Sequence, residues 1–470
     1  MSNILYTREH AIYQKRRAQL LLNSLAVAGG NPYIEKRLVR APNESDISWI
    51  GRSLVSKLDS GRRDRAVYIN DAGRISQKIN SYLFAQPALR DGIDENFKND
   101  VSRTGLSVDN FWSTVSESLT TNGWVWVSAD RNAPRTNSET GEPELRTLAD
   151  REMDADRIYW SIYPALNVPD WSFGSDGGLN WIITSTSAYE NQNPGEPPKL
   201  VQTRTLWQRD RDGATYINYV DGGNNAIAVS NQGRISSSKI PFQLVGSISG
   251  NPCWFDDVER ICGQLLNMDS LHSESLMKTV FPQLVIGAAM LEGLETKLLE
   301  RQGTSSGGRT IELVRELIRG LDSPLIESGE EKGVTRFLMP SSSDLNSLPA
   351  EISRKRKLLF DMVGLSLFNK ETRQMQTAES KAWDALDTSQ TLKNRANIME
   401  TAETKLVGLS LALDSSFKSY EPVWNKTFNI PDVKADVEAI ERLSKMTMTN
   451  EQRELFDTAF TRILNYLDKA

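Results

Sequence analysis

AESKAWDALDTSQTLKNRANIMETAETKLVGLSLAL, residues 378–413, carries the strongest periodic signal in the chain and sets the frame for the rest. Ala378, Ala382, Ala385, Leu392, Ala396, Met399, Ala402, Leu406, Leu409 and Leu413 recur at three- and four-residue intervals, with Ser389 filling the gap. That spacing predicts one helix of about ten turns, packed along nearly its whole length. The length far exceeds the mean of about three turns, so the helix is expected to be a spoke, a subunit interface or the core of a bundle.

Immediately upstream, LSLFNKETRQMQ (365–376) mixes both charge signs in a short polar segment that predicts a loop. Before it, Glu351–Val363 reads as a helix introduced by Leu348 and Pro349 and carrying a basic block, Arg354, Lys355, Arg356 and Lys357. A helix puts Arg354 and Lys357 on one face and turns Lys355 and Arg356 away. The block is expected to face outward, to pair with carboxylates such as Asp256, Asp257 and Glu259 on an earlier helix, or to do both at once. That earlier helix is predicted over Trp254–Thr279, where Val258, Ile261, Leu265, Met268 and Leu271 keep helical spacing and Asp256 and Asp257 suit the positive end of its dipole. Pro282 ends it and Leu284–Gly287 begins a strand. Residues 288–345 then read as an α/β insert with a helix over Thr310–Gly320 and strands over Pro324–Ile326 and Thr335–Leu338.

Further out, residues 1–60 show helical periodicity broken by Gly29, Gly30 and Pro32 and resumed over Ser45–Leu58. RAVYIN (65–70) reads as a strand, Asp71–Gly73 as a turn, Val108–Leu119 as a helix and WVWV (124–127) as a short β run, an α+β unit with a helix on a sheet. A polar loop spans 131–150, and a mostly antiparallel β region runs from about 155 to 250, with segments at Tyr159–Val168, Trp181–Ser185, Val201–Gln208 and Thr215–Val220. Tryptophans 112, 124, 126, 160, 171 and 181 do not sit beside basic clusters and are expected to fill this region's core. The C-terminus predicts two helices, Val433–Lys445 and Glu451–Leu467, with Thr449 as a cap.

Composition narrows the functional classes. The 470 residues carry a formal net charge of −6, which argues against a tight nucleic-acid binder, because neutralising phosphates takes a local surplus of Lys and Arg. Two cysteines are too few for a disulfide framework. The apolar run Leu20–Ala28 is interrupted by Asn23 and Ser24 and reads as an amphipathic helix, and no apolar run is long enough to span a bilayer.

The enzymatic motifs fall short. GTSSGGRT (303–310) has the spacing of a phosphate-binding loop, but Arg309 stands where a compact lysine charge is needed and a polar helix precedes it instead of a buried strand. Gly303, Ser305 and Gly307 match the nucleophile-elbow spacing, yet the only histidines, His10 and His272, lie upstream. Cys253, Cys262 and His272 are nine and ten residues apart, unlike the close pairs of a zinc site. No cofactor, metal or catalytic residue is expected.

Several strings resemble the portal proteins of tailed double-stranded DNA bacteriophages: AVYIN (66–70), YLFAQP (82–87), TGLSVDNF (104–111), NGWVWVSAD (122–130), DVERICGQLLNMDSLHSESLMKTVFPQLVIG (257–287) and TAESKAWDAL (377–386). The order of elements is similar to that family over most of the chain. One departure is Arg103 and Thr104 before Gly105, where relatives often carry an acidic, glycine-containing turn.

The resemblance implies an α+β portal-like fold. Its parts would be a mixed wing (1–253), a first stem helix (254–279), a small α/β clip (280–347), a second stem helix (348–365), a tunnel loop (366–376), a long helix with a wing return (377–429) and an all-α crown (430–470). It implies a non-enzymatic homo-oligomeric ring of about twelve copies at one capsid vertex of the virion, made in the host cytoplasm, through which the genome is packaged and ejected. Double-stranded DNA would pass without sequence-specific grip. The expected partners are the terminase large subunit, a head-completion adaptor, and the major capsid and scaffolding proteins, with no membrane. The tunnel loop, Asn369, Lys370, Glu371, Thr372, Arg373 and Gln374, would face the DNA, with Lys370 and Arg373 as its charges. Ala378, Ala382, Ala385, Leu392, Ala396 and Met399 would pack subunits together. The competing readings are another phage structural protein, such as a minor capsid or adaptor subunit, and a nucleotide-dependent enzyme using residues 303–310.

Overall fold

The computed structural model describes residues 7–42, 44, 49–50, 61–131, 157–190, 197, 199–211, 213–221, 227–235, 237–280, 283–287, 325–327, 336–338, 342–363 and 378–428. Three expectations lie outside these residues: the GTSSGGRT loop with the helix after it, the tunnel loop, and the C-terminal helices. So do the 132–150 loop and nearly all of Ser45–Leu58.

WVWV is the pivot of the fold. Strand β2 (Trp124–Arg131) is the middle strand of a three-stranded antiparallel sheet, between β3 (Ile158–Pro164) and β9 (Phe242–Gly246). Alternate side chains of a strand point to opposite faces, and here both faces are buried. Val125, Val127 and Ala129 enter one core with helix α6 (Val108–Asn122) and helix α9 (Ala378–Leu413). Trp124 and Trp126 enter a second core, built with the long helix α1 (Ala11–Ala28) and a five-stranded meander. The tryptophans divide accordingly: Trp112 and Trp160 lie in the first core, Trp124, Trp126 and Trp171 in the second, and Trp181 beside a small third cluster.

The meander runs β4 (Asp170–Phe173), β5 (Leu179–Glu190), β6 (Lys199–Asp210), β7 (Gly213–Asp221) and β8 (Ile227–Ile235), every neighbouring pair antiparallel. This is the β region expected from the sequence. Its links to the central sheet are aromatic: Trp126 stacks on Phe173 at 6.0 Å and Trp207 meets Phe242 edge-on at 5.4 Å. Gly123 joins α6 to β2 in the left-handed region (φ 83), where a side chain would be strained, so the helix stops and the strand turns back across it.

RAVYIN is not a strand. Residues 66–70 run without regular structure between two helices, α3 (Arg62–Arg65) and α4 (Asp71–Leu83), with Val67 and Ile69 exposed while the Tyr68 hydroxyl donates to the Ala26 carbonyl at 3.1 Å. The alternation is real, but it belongs to one extended segment with no partner strand among the described residues. Asp71–Gly73 is likewise a helix start: the Asn70 side chain caps it by accepting from the Gly73 amide at 2.7 Å.

Helix α7 (Trp254–Val280) and helix α8 (Ser342–Met362) lie against each other, with β10 (Gln283–Gly287), β11 (Leu325–Glu327) and β12 (Arg336–Leu338) between them in sequence. Strand β10 is central, parallel to β11 and antiparallel to β12. Helix α8 begins nine residues earlier than expected, with Pro349 inside it. Proline removes one helical hydrogen bond, and burial on either side offsets that loss, since Leu348 packs against the main core and Ile352 lies within it. Three further elements complete the description: helices α2 (Asn31–Arg37) and α5 (Glu95–Asn99), and a two-stranded antiparallel sheet of β1 (Leu89–Asp91) with β13 (Glu421–Val423).

Candidate functional site

The paired helices α7 and α8 hold the expected basic block, and the N-terminal region secures α7 along one face. Asp256, Glu259, Asn267, Ser270 and Glu274 recur at helical spacing, and each meets a residue from the first 65 positions. Asp256 receives a bidentate guanidinium from Arg16 and an amide from Asn23 at 2.9 Å. It also accepts the Cys253 backbone N–H at 3.2 Å, which closes the first turn of α7. Glu259 binds Arg37, the Tyr33 hydroxyl at 3.0 Å and Gln19 at 3.0 Å. Asn267 accepts the Val39 amide at 2.8 Å, Ser270 accepts from Arg62 at 3.2 Å, and Glu274 pairs with Arg65 at 2.5 Å.

This arrangement corrects one expectation. Asp256 and Glu259 do not pair with the basic block, because both are fully buried against N-terminal arginines, while Asp257 is half-exposed beside Arg260 at 3.6 Å. A buried carboxylate takes the partner that can reach it inside the protein. The sequence held half a signal for these contacts, the polar residues at helical spacing on α7, and nothing that marked arginines 16, 37, 62 and 65 as their partners. It could not show that the two segments are adjacent.

The block itself divides by face. Lys355 reaches Gln264 of α7 at 2.8 Å, and Arg356 pairs with Asp269 of α7 at 2.7 Å and with Asp71 of α4 at 3.5 Å. Burial pushes the Asp71 and Asp269 carboxyls above the usual range, and the Arg356 charge pulls the other way. Arg354 and Lys357 are exposed. Arg354 bonds back to Glu351 at 2.6 Å, and Lys357 has no ion-pair partner among the described residues. The free face of α8 therefore presents cations outward, with Leu358 and Met362 also exposed beside them.

Helix α9 runs over the 36 residues that the periodicity marked. Leu392, Ala396 and Met399 are at most 2% exposed and belong to the chain's own main core, with Ala402, Leu406 and Leu413. Leu392, Ala396 and Met399 were expected to pack subunits together. The helix lies on β2 and β9 of the chain's own sheet, which satisfies the stripe within the chain from Leu392 onward. Ala378, Ala382 and Ala385 lie in the first turns of the helix, where only the backbone is described. Farther along, Glu403 is fully buried and accepts from Arg90 at 2.6 Å, Tyr420 at 3.0 Å and Trp424 at 2.8 Å, a cluster the sequence did not reveal. Burial beside Glu403 pushes the Tyr420 hydroxyl well above its ordinary value.

No protein-family model and no curated protein matches the chain. Solved structures give distant likenesses. A chain in the virion of a native gene transfer agent particle is 9% identical, with 82% of this chain and 89% of that one covered and a TM-score of 0.38. A chain in the neck of the native particle computed with C12 symmetry is 10% identical, covering 87% and 96%, at 0.38. A chain in the neck of the empty particle computed with C6 symmetry is 9% identical, covering 82% and 89%, at 0.35.

Proposed function

We propose that this chain is the portal subunit of a tailed-phage-like particle, a structural protein that closes into a ring of about twelve at one capsid vertex and lets double-stranded DNA through. One observation carries the reading: two helices, α7 and α8, lie side by side and are joined through a small sheet, and a helix of 36 residues follows them. That order matches the sequence resemblance, with α7 and α8 as stem, β10–β12 in the clip and α9 as the long wing helix.

A closed ring needs a head-to-tail interface between neighbours. Of the stripe assigned to it, Ala378, Ala382 and Ala385 remain the proposed subunit contact. Residues 369–374 are the proposed DNA-facing loop, and Arg354 and Lys357 a cationic face of the stem. Such charges touch phosphates without reading sequence. The clip would dock the terminase large subunit and later the head-completion adaptor, with the capsid and scaffolding proteins around the wing.

Negative-stain electron microscopy of the purified chain, with light scattering for mass, tests this. Rings with an axial hole and a mass near twelve copies are expected. A species that stays monomeric across salt and concentration would overturn the proposal.

A further inference from the structure

The hairpin of β5 and β6 outruns the rest of its sheet. Strand β4 pairs with β5 only as far as Ile183, and β7 pairs with β6 only from Thr203 onward, so Ser187–Glu190 and Lys199–Gln202 form a two-stranded arm. Cross-strand partners on one face of this arm follow in order: Ile183 with Leu206, Ser185 with Arg204, Ser187 with Gln202, and Tyr189 with Leu200. The first pair is buried. The last is well exposed, with Tyr189 at 72% and Leu200 at 56%.

The two middle pairs line a cleft of about 470 Å³, whose other wall is Glu9, Tyr13 and Arg17 of the N-terminal segment and Leu166, Asn167 and Pro169 before β4. That volume is in the range of natural ligand clefts, about 300–1,000 Å³. Arg17 bridges Glu9 at 3.1 Å with its side chain 62% exposed, and Tyr13 holds the Leu166 carbonyl at 3.0 Å. Two guanidinium groups and one carboxylate thus stand over a floor of hydroxyls and an amide, and the exposed apolar pair Tyr189 and Leu200 lies one step farther along the arm.

We infer that this cleft binds an extended acidic peptide segment, with its carboxylates toward Arg17 and Arg204 and a neighbouring apolar side chain on Tyr189 and Leu200. Arginine presents a planar fork that matches a carboxylate. An extended segment laid along the arm would repeat its side chains every second residue, in step with the three pairs. The inference does not depend on the portal reading.

Fluorescence polarisation with a labelled eight-residue peptide, Glu-Asp-Glu-Asp-Leu-Phe-Leu-Phe, whose alternate residues place carboxylates and then an apolar side chain along one face, tests it on the full chain. Saturable binding is expected, weakened at least tenfold by Arg17→Glu and by Gln202→Glu, severalfold by Tyr189→Ser, and reduced by added salt. All three positions are exposed, and unchanged thermal melting of each variant would confirm folding. Equal affinity for Lys-Lys-Lys-Lys-Leu-Phe-Leu-Phe, no binding up to millimolar peptide, or folded variants that bind like the parent would each overturn the proposal.

Discussion

Arg16 and Asp256, 240 positions apart, form a bidentate ion pair in the interior, with side chains 5% and 1% exposed. The pair ties the first long helix to the base of α7. Removing one partner strands the other charge away from water, and such losses run to about 3–5 kcal/mol. Arg16→Ala is expected to destabilise the chain by that amount in urea denaturation, and the double change Arg16→Met with Asp256→Leu to recover part of it. A loss below about 1 kcal/mol for Arg16→Ala would show that water reaches the pair.

The same carboxylate gives a pH dependence. Burial pushes the Asp256 carboxyl up, but hydrogen bonds from Arg16, Asn23 and Cys253 outweigh it and hold the group below the usual aspartate range. A depressed folded value contributes stability above the unfolded pKa of about 3.9 and loses it as pH falls toward the folded value. Urea midpoints measured from pH 7 to pH 3 should therefore fall most steeply below about pH 4, and Asp256→Asn should flatten that limb. Asp71 and Asp269, raised by burial, contribute with the opposite sign, adding stability as pH falls through their folded values.

Glu403 joins α9 to the segment after it through Tyr420 and Trp424, and to β1 through Arg90. Glu403→Gln leaves Arg90 with Asp109 alone, at 2.6 Å and 41% exposed. A cost of about 3 kcal/mol is expected, the low end for a broken buried pair. Hydrogen exchange should quicken at Leu89–Asp91 and Glu421–Val423, and unchanged protection there would contradict the assignment.

Burial pushes the Cys253 thiol up to about 11 and the Cys262 thiol up to about 12. The thiolate is the reactive form. Neither cysteine should react appreciably with Ellman's reagent at pH 8 while the chain is folded, and both should react at once in guanidinium. A rapid native reaction of one equivalent would place Cys253, the less buried of the two, in contact with solvent.

The sequence was most legible where one face alone is buried over many turns. The ends of α9 were set by Ala378 and Leu413, and α7 by Trp254 and the proline after it. Short segments misled, because RAVYIN alternates as a strand does, and it is a linker because no described strand pairs with it, which is a tertiary fact. Pro349 reads as a helix start because the burial of Leu348 and Ile352 that carries the helix past it has no local signature. The site was least legible. Arginine is common on surfaces, and nothing in RRAQ or EKRL distinguishes Arg16 and Arg37, which meet carboxylates more than two hundred positions away, from their exposed neighbours.

Helix α9 is buried along one side from Thr388 to Leu413, with Leu392, Ala396, Met399, Ala402 and Leu406 between them. An α-helix is a stiff rod, so that stretch moves as one body. A push along its axis at Glu403, where Arg90, Tyr420 and Trp424 grip it, therefore arrives at Thr388, about 22 Å away, with no hydrogen bond of the helix broken.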